Sequence, residues 1–276
     1  MSGAVRPGSS LRPGSSLRLA LFLPLGYTHA TRLRQEPARY AVLVATEWLP
    51  AFLALVMIEP AAPGASAARF LLAYVAFISL YEVGYLANDL LAFREEGGGR
   101  GRLGDAPPGA ALVAGAVVVR SGVFVGATWL LGLLADPRWW AFYALLASAF
   151  TVHNLLRSPA LRLVSFVHLA LSRFYAPIFA FLGGPSLALL AAPVLLHYVL
   201  LRALGYLESK GISNIPGRGD TAFKVRYYAV LVAPSCLLTI LTGSWIPVAF
   251  NAWYLAAWTG AWALGLGRGR AARLDG

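Results

Sequence analysis

Long apolar runs dominate the chain, and each is closed by glycine, proline or a cluster of charge. A helix needs about 20 mostly apolar residues to cross hydrocarbon. Windows of that length predict eight membrane-spanning helices, at 40–58, 69–91, 109–134, 139–157, 161–183, 186–207, 225–243 and 246–266. The breaks are Glu59-Pro60, the run Glu95-Glu96-Gly97-Gly98-Gly99, Asp136-Pro137, Ser158-Pro159, Gly184-Pro185, the polar stretch Glu208 to Lys224, and Gly243-Ser244. Several of these connections are short, which makes consecutive helices antiparallel neighbours. The expected fold is therefore an all-α bundle that needs no strand. Residues 40–266 read as one transmembrane domain. The preceding residues 1–39 carry a duplicated Arg-Pro-Gly-Ser-Ser-Leu-Arg, at 6–12 and 12–18, and read as low-complexity linker. Leu17 to Tyr27 is apolar but holds Pro24 and is too short to span, so it is expected to lie at the membrane interface. Residues 267–276 form a basic tail.

Composition fixes the class. Of 276 residues, 58% are hydrophobic and 13% charged, against roughly a quarter charged in a soluble domain. A multi-pass membrane protein follows. The net charge of +11 then reports on topology rather than on nucleic acid, because basic residues accumulate on the cytoplasmic side. With the N-terminus inside, the inside segments hold Arg6, Arg12, Arg18, Arg32, Arg34 and Arg39; Arg94, Arg100 and Arg102; Arg157 and Arg162; Lys210, Arg218, Lys224 and Arg226; and Arg268, Arg270 and Arg273. The outside loops hold only Arg69 and Arg138, a ratio of 18 to 2 that places both termini in the cytoplasm. The lone cysteine, Cys236, excludes an internal disulfide and Cys-rich metal centres.

Charge within a span points to a protein-lined interior. Glu82, Asp89 and Glu96 are spaced by seven and share one helical face, with Tyr85 beside them. Such a stripe suits Mg²⁺, which takes hard oxygen ligands from carboxylates and phosphates. The structural alternative for Glu82 is an ion pair with a buried arginine such as Arg120 or Arg173. A second polar cluster follows the sixth predicted span: Arg202, Tyr206, Glu208 and Lys210, then Arg218, Asp220, Lys224 and Arg226. Its guanidinium and ammonium groups suit a diphosphate. His153, Asn154 and Arg157 end the fourth span at the same level, and His168 lies deeper; His197 is expected to be a hydrogen-bonded packing residue.

The order of these motifs resembles the UbiA superfamily of intramembrane prenyltransferases, all-helical bundles that usually have nine spans. That family carries N-D-x-x-D-x-x-x-D after its second span. Here Asn88 and Asp89 match the opening, Ala92 replaces the middle acid, Glu96 takes the last acidic position, and Arg100 or Arg102 follows. The stretch from Phe150 through His153 and Asn154 to Arg157 is similar to the family's fourth span. The second motif departs further: its paired aspartates are absent, and Glu208 has Lys210 and the distant Asp220 nearby.

The resemblance implies a Mg²⁺-dependent enzyme of a bacterial cytoplasmic membrane, with its polar site on the cytoplasmic side. It would move a prenyl group from an isoprenyl diphosphate to an aromatic or other lipophilic acceptor. Asp89, Asn88 and Glu208 would be catalytic, with Asp89, Glu96 and Glu208 as metal ligands. Tyr85, Arg100, Arg102, His153, Arg157, Arg202, Lys210 and Lys224 would bind substrate, with Tyr85 and Phe93 favouring the cationic fragment through their ring faces. Membrane lipid is the expected surround, and nucleic acid is not an expected partner. The alternatives are a degenerate lipid-binding or accessory protein on the same scaffold and, third, a transporter.

Overall fold

The computed structural model describes residues 18–33, 38–60, 63–95, 103 and 107–266. Among them every regular element is helical. A short helix α1, Gly26–Thr28, runs on through a π-helical turn at His29–Leu33. Helix α2 joins Ala38–Leu43, a π-turn at Val44–Trp48 and Leu49–Ile58. Next come α3 (Pro63–Glu95), α4 (Ala110–Leu130), α5 (Pro137–Leu155) and α6 (Pro159–Tyr175). Helix α7 joins Gly184–Val194, a π-turn at Leu195–Val199 and Leu200–Ser209. Helix α8 comprises Thr221–Val230 and Val232–Thr242, and α9 is Ile246–Ala263.

Five of these helices are long and apolar enough to cross a membrane: α2, α3, α4, α7 and α8. Helices α5, α6 and α9 stand where three further crossings were predicted. At 33 residues, α3 is about 50 Å long by the 1.5 Å rise of an α-helix, well beyond the predicted 69–91. The predicted helix 161–183 stops at Tyr175, and a single 3₁₀ turn, Phe179–Phe181, follows. Pro177 explains the stop, because it has no N–H to donate and its ring clashes with the carbonyl four residues back. Helix α5 starts on Asp136, whose Oδ1 accepts the Arg138 N–H at 2.8 Å, with Pro137 in the first turn, where a missing N–H is harmless.

The described residues fall into two compact units, one from within 1–39 and 75–132 and the other from within 40–74 and 133–276. The first unit packs Leu21, Tyr27, Leu86, Leu103 and Ala116 together, with Phe22, Tyr85, Leu90 and Phe93 around them. Leu21 and Tyr27 are each only 1% exposed. The N-terminal segment expected at the membrane interface is thus packed into this unit through Leu21 and Tyr27, while Leu19 and Leu23 stay exposed. The second unit is built around Phe174, Tyr198, Tyr228, Phe250 and Tyr254, with the Tyr228 and Tyr254 rings stacked 5.2 Å apart.

The two π-turns of the second unit shape its interior. A π-turn widens the helix by one residue and loosens its carbonyls. In α2, Trp253 Nε1 donates to Ala45 O at 2.7 Å and the Tyr254 hydroxyl to Thr46 O at 2.7 Å. In α7, the Tyr227 hydroxyl donates to Leu196 O at 2.5 Å and the Tyr228 hydroxyl to His197 O at 2.7 Å. His197 is fully buried. Its Nδ1 meets Pro193 O at 2.9 Å, and its Nε2 lies 3.1 Å from both Asn251 Oδ1 and Ser235 Oγ. It is the packing residue that the sequence suggests.

The chain turns back on itself tightly at Gly26. A Cβ there would lie 2.5 Å from Ala20 O and 3.1 Å from Leu23 Cβ. Gly26→Ala is expected to cost about 1–3 kcal/mol through overpacking against backbone. Gly64→Ala, where nothing lies within 4 Å, serves as the control. Thermal unfolding of the two variants in detergent decides it: equal midpoints would overturn the close packing described for residues 20–26.

Candidate functional site

The sequence places Glu82, Tyr85 and Asp89 along one face of α3, and the structure points both acids into the first unit. Glu82 and Asp89 are 1% and 5% exposed. Glu82 Oε2 lies 2.6 Å from Arg120 NH1, and its Oε1 accepts the backbone N–H of Thr28 at 2.6 Å. Arg120 sits at the middle of α4. Its Nε donates to Leu21 O at 2.6 Å, and its NH2 to Leu23 O at 2.8 Å and Ala20 O at 3.3 Å. An arginine in mid-span is thus neutralised by one acid and solvated by three carbonyls of the N-terminal segment, which meets the requirement that buried charge be paired and hydrogen-bonded. Of the two partners open to Glu82 in the sequence, Arg120 is the one it takes.

Seven residues further along the helix, Asp89 Oδ2 accepts from the Tyr27 hydroxyl at 2.8 Å and from Arg32 NH2 at 2.9 Å. Burial, and then the adjacent carboxylate, push the Tyr27 phenol well above its ordinary value, so it remains a donor throughout the usual pH range. The Arg32 guanidinium lies 3.9 Å from the Tyr85 ring centroid and 5.6 Å from that of Tyr27. Asn88 is half-buried on the same turn. Glu96, Arg100 and Arg102 lie outside the described residues, as does the side chain of Glu95.

The second unit has its own buried acid, Glu47, in the π-turn of α2 and 1% exposed. Arg173 from α6 grips it with two bonds, Nε to Oε2 at 3.0 Å and NH2 to Oε1 at 2.9 Å. Arg202 NH2 from α7 reaches Oε2 at 3.1 Å, and the Tyr198 hydroxyl donates to the same oxygen at 2.5 Å. The Arg202 guanidinium also lies 4.4 Å from the Tyr198 ring centroid. Two cations therefore share one carboxylate, and the two π-turns face each other across it.

The other expected site residues disperse over this unit. Glu208 pairs with Arg218, whose guanidinium fits against Gly205; a Cβ there would lie 2.8 Å from Arg218 NH1. His153 Nδ1 meets Ser165 Oγ at 3.0 Å, and Arg157 is exposed. Lys210 lies 6.0 Å from the Tyr206 ring centroid. Lys224 donates to Gly219 O at 3.3 Å and lies 4.1 Å from the Trp258 ring centroid.

Among the described residues, the acids expected to hold Mg²⁺ are taken up by arginines in this arrangement, and Glu96 lies outside those residues. The carboxylates of Asp89, Glu82, Glu47 and Glu208 each hold an arginine. Among the described residues, no three His, Cys, Asp or Glu side chains gather. Mg²⁺ asks for near-octahedral oxygen ligation, and a guanidinium on the carboxylate stands in its way.

Glu47 is an acid within an apolar window that no motif singles out. By sequence, Arg32 reads only as a topology residue and Tyr27 only as part of an interfacial stretch. The signal for Glu47 was the general one, that an ionisable group inside a span has a partner; the signal for Tyr27 and Arg32 was absent, since nothing in their spacing ties them to residue 89. Comparison of the chain with protein-family models, with curated proteins and with solved structures gives no match. Fold and buried ion pairs together define a helical protein built to sit in a membrane.

Removing one partner of a buried ion pair typically costs about 3–5 kcal/mol. Glu47→Ala is expected to fall in that range, with Glu47→Gln retaining more stability through its amide. A loss below about 1 kcal/mol for Glu47→Ala in denaturant unfolding would show that Arg173 and Arg202 are solvated elsewhere.

Proposed function

We propose that the chain crosses the membrane eight times with both termini in the cytoplasm, and that it handles an isoprenyl diphosphate as a divergent UbiA-type prenyltransferase. The observation that carries this reading is the Asn88-Asp89 pair at the end of the long apolar helix α3, with Asp89 buried at 5% exposure beside Tyr85. Tyr85 and Phe93 pack as partly buried aromatic residues in that unit, walls suited to a cationic prenyl fragment. Cleavage of the carbon–oxygen bond leaves negative charge on the departing diphosphate. Neutralising that charge calls for basic groups against it. The acceptor would be a lipophilic, electron-rich molecule entering within the membrane plane.

A second reading is favoured by one specific observation: the carboxylates that metal chemistry would need hold arginines. On this reading the protein binds a lipid diphosphate, or serves as an accessory subunit, without metal-assisted transfer.

Binding of geranylgeranyl diphosphate to the purified protein separates the two. The transferase reading expects binding strengthened by Mg²⁺ and lost in Asp89→Asn, with prenyl transfer to a hydrophobic phenol. Binding that ignores both Mg²⁺ and Asp89→Asn supports the second reading, and no binding at all rejects both. The topology has its own test. A reporter active only in the cytoplasm, fused after Gly276, should be active; an external C-terminus would refute the eight-span count.

A further inference from the structure

We infer that Asp89, Tyr85 and Tyr27 form a binding site for an organic, guanidinium-like cation, and that the chain fills this site with its own Arg32. The site shares Asp89 and Tyr85 with the proposed prenyl site, but the inference rests on the Arg32 contacts alone and needs neither metal nor diphosphate.

Three features of the site select a planar organic cation over a hard metal ion. Two aromatic faces lie near the Arg32 guanidinium carbon, at 3.9 Å for Tyr85 and 5.6 Å for Tyr27, and ring faces attract diffuse cations. The Asp89 carboxylate, 4% exposed at its side chain, meets guanidinium NH2 at 2.9 Å. The Tyr27 hydroxyl fixes that carboxylate's orientation from the same oxygen. Asp89 meets Arg32 and Tyr27, while Glu82, a second buried acid of α3, is taken up by Arg120 and Thr28.

The segment that brings Arg32 to the site is held there, not relaxed there. Leu25 sits in the left-handed region at φ 66°, a conformation that costs a non-glycine residue energy and persists only where its surroundings enforce it. The enforcing contacts are the carbonyls of Ala20, Leu21 and Leu23 on Arg120 and the Thr28 N–H on Glu82. Within Leu19 to Leu33, Arg32 is thus held against the site as a tethered ligand. A cation of the same chemistry, arriving from outside, competes for the same carboxylate and rings.

Chemical rescue tests this on the full-length protein in detergent. Arg32→Ala should unfold at a lower temperature than wild type. A tethered group competes at an effective concentration on the order of millimolar, so methylguanidinium at roughly tens of millimolar should recover more than half of the lost midpoint. Sodium chloride and magnesium chloride at equal ionic strength should not, and Arg32→Ala combined with Asp89→Asn should show no recovery. Absence of rescue, rescue by Mg²⁺, or rescue that survives Asp89→Asn overturns the proposal. Should Arg32→Ala fail to fold, Arg32→Gln provides the second readout. Amide exchange at Thr28 should speed up in that variant and slow again with methylguanidinium, and exchange indifferent to methylguanidinium rejects the site.

Discussion

A carboxylate placed inside an apolar helix can remain ionised only with a cation against it and donors on its remaining oxygens, because neither lipid nor a packed core supplies solvation. Each unit of this protein is organised by that requirement. In one, Glu82 and Asp89 of α3 draw Arg120, Arg32, Tyr27 and the Thr28 amide onto a single helical face. In the other, Glu47 draws Arg173, Arg202 and Tyr198 from two further helices. Apolar packing alone is nearly indifferent to the rotation of one helix against another. A buried ion pair is not, since a turn of the helix by one residue would strand a charge.

Backbone irregularity serves the same end. The π-turns at Val44–Trp48 and Leu195–Val199 loosen carbonyls that would be costly in a dry interior, and indole and phenol donors from α8 and α9 take them up. The result places Glu47 opposite Tyr198. The N-terminal segment is the counterpart in the other unit: its carbonyls at Ala20, Leu21 and Leu23 are tolerable within the fold because Arg120 donates to all three.

Much of the candidate chemistry was legible in the residues of α3, where a seven-residue spacing fixes Glu82 and Asp89 on one face regardless of what they meet. Their partners were not legible. Arg32 and Asp89 are 57 residues apart, and the arginine lies outside every apolar window. Glu47 and Arg173 are 126 residues apart, on helices whose mutual rotation no periodicity specifies. The helix boundaries behaved likewise: Asp136-Pro137 and Ser158-Pro159 mark starts by local chemistry, whereas Pro177 truncates a window that hydropathy alone carries to residue 183.

The sequence by itself determined that this is a helical membrane protein, that its helices begin and end at particular prolines and polar clusters, and that scarce acids lie in or beside apolar spans. These follow from local propensity and from the cost of exposing backbone or charge to hydrocarbon, quantities that each stretch of chain carries alone. Only the tertiary structure decided that those acids hold arginines, that residues 19–33 are built into a folded unit, and that Arg32 occupies the Asp89 carboxylate. Ion pairing depends on which side chains meet at about 3 Å, and that is settled by the packing of distant helices, not by the order of residues along any one of them.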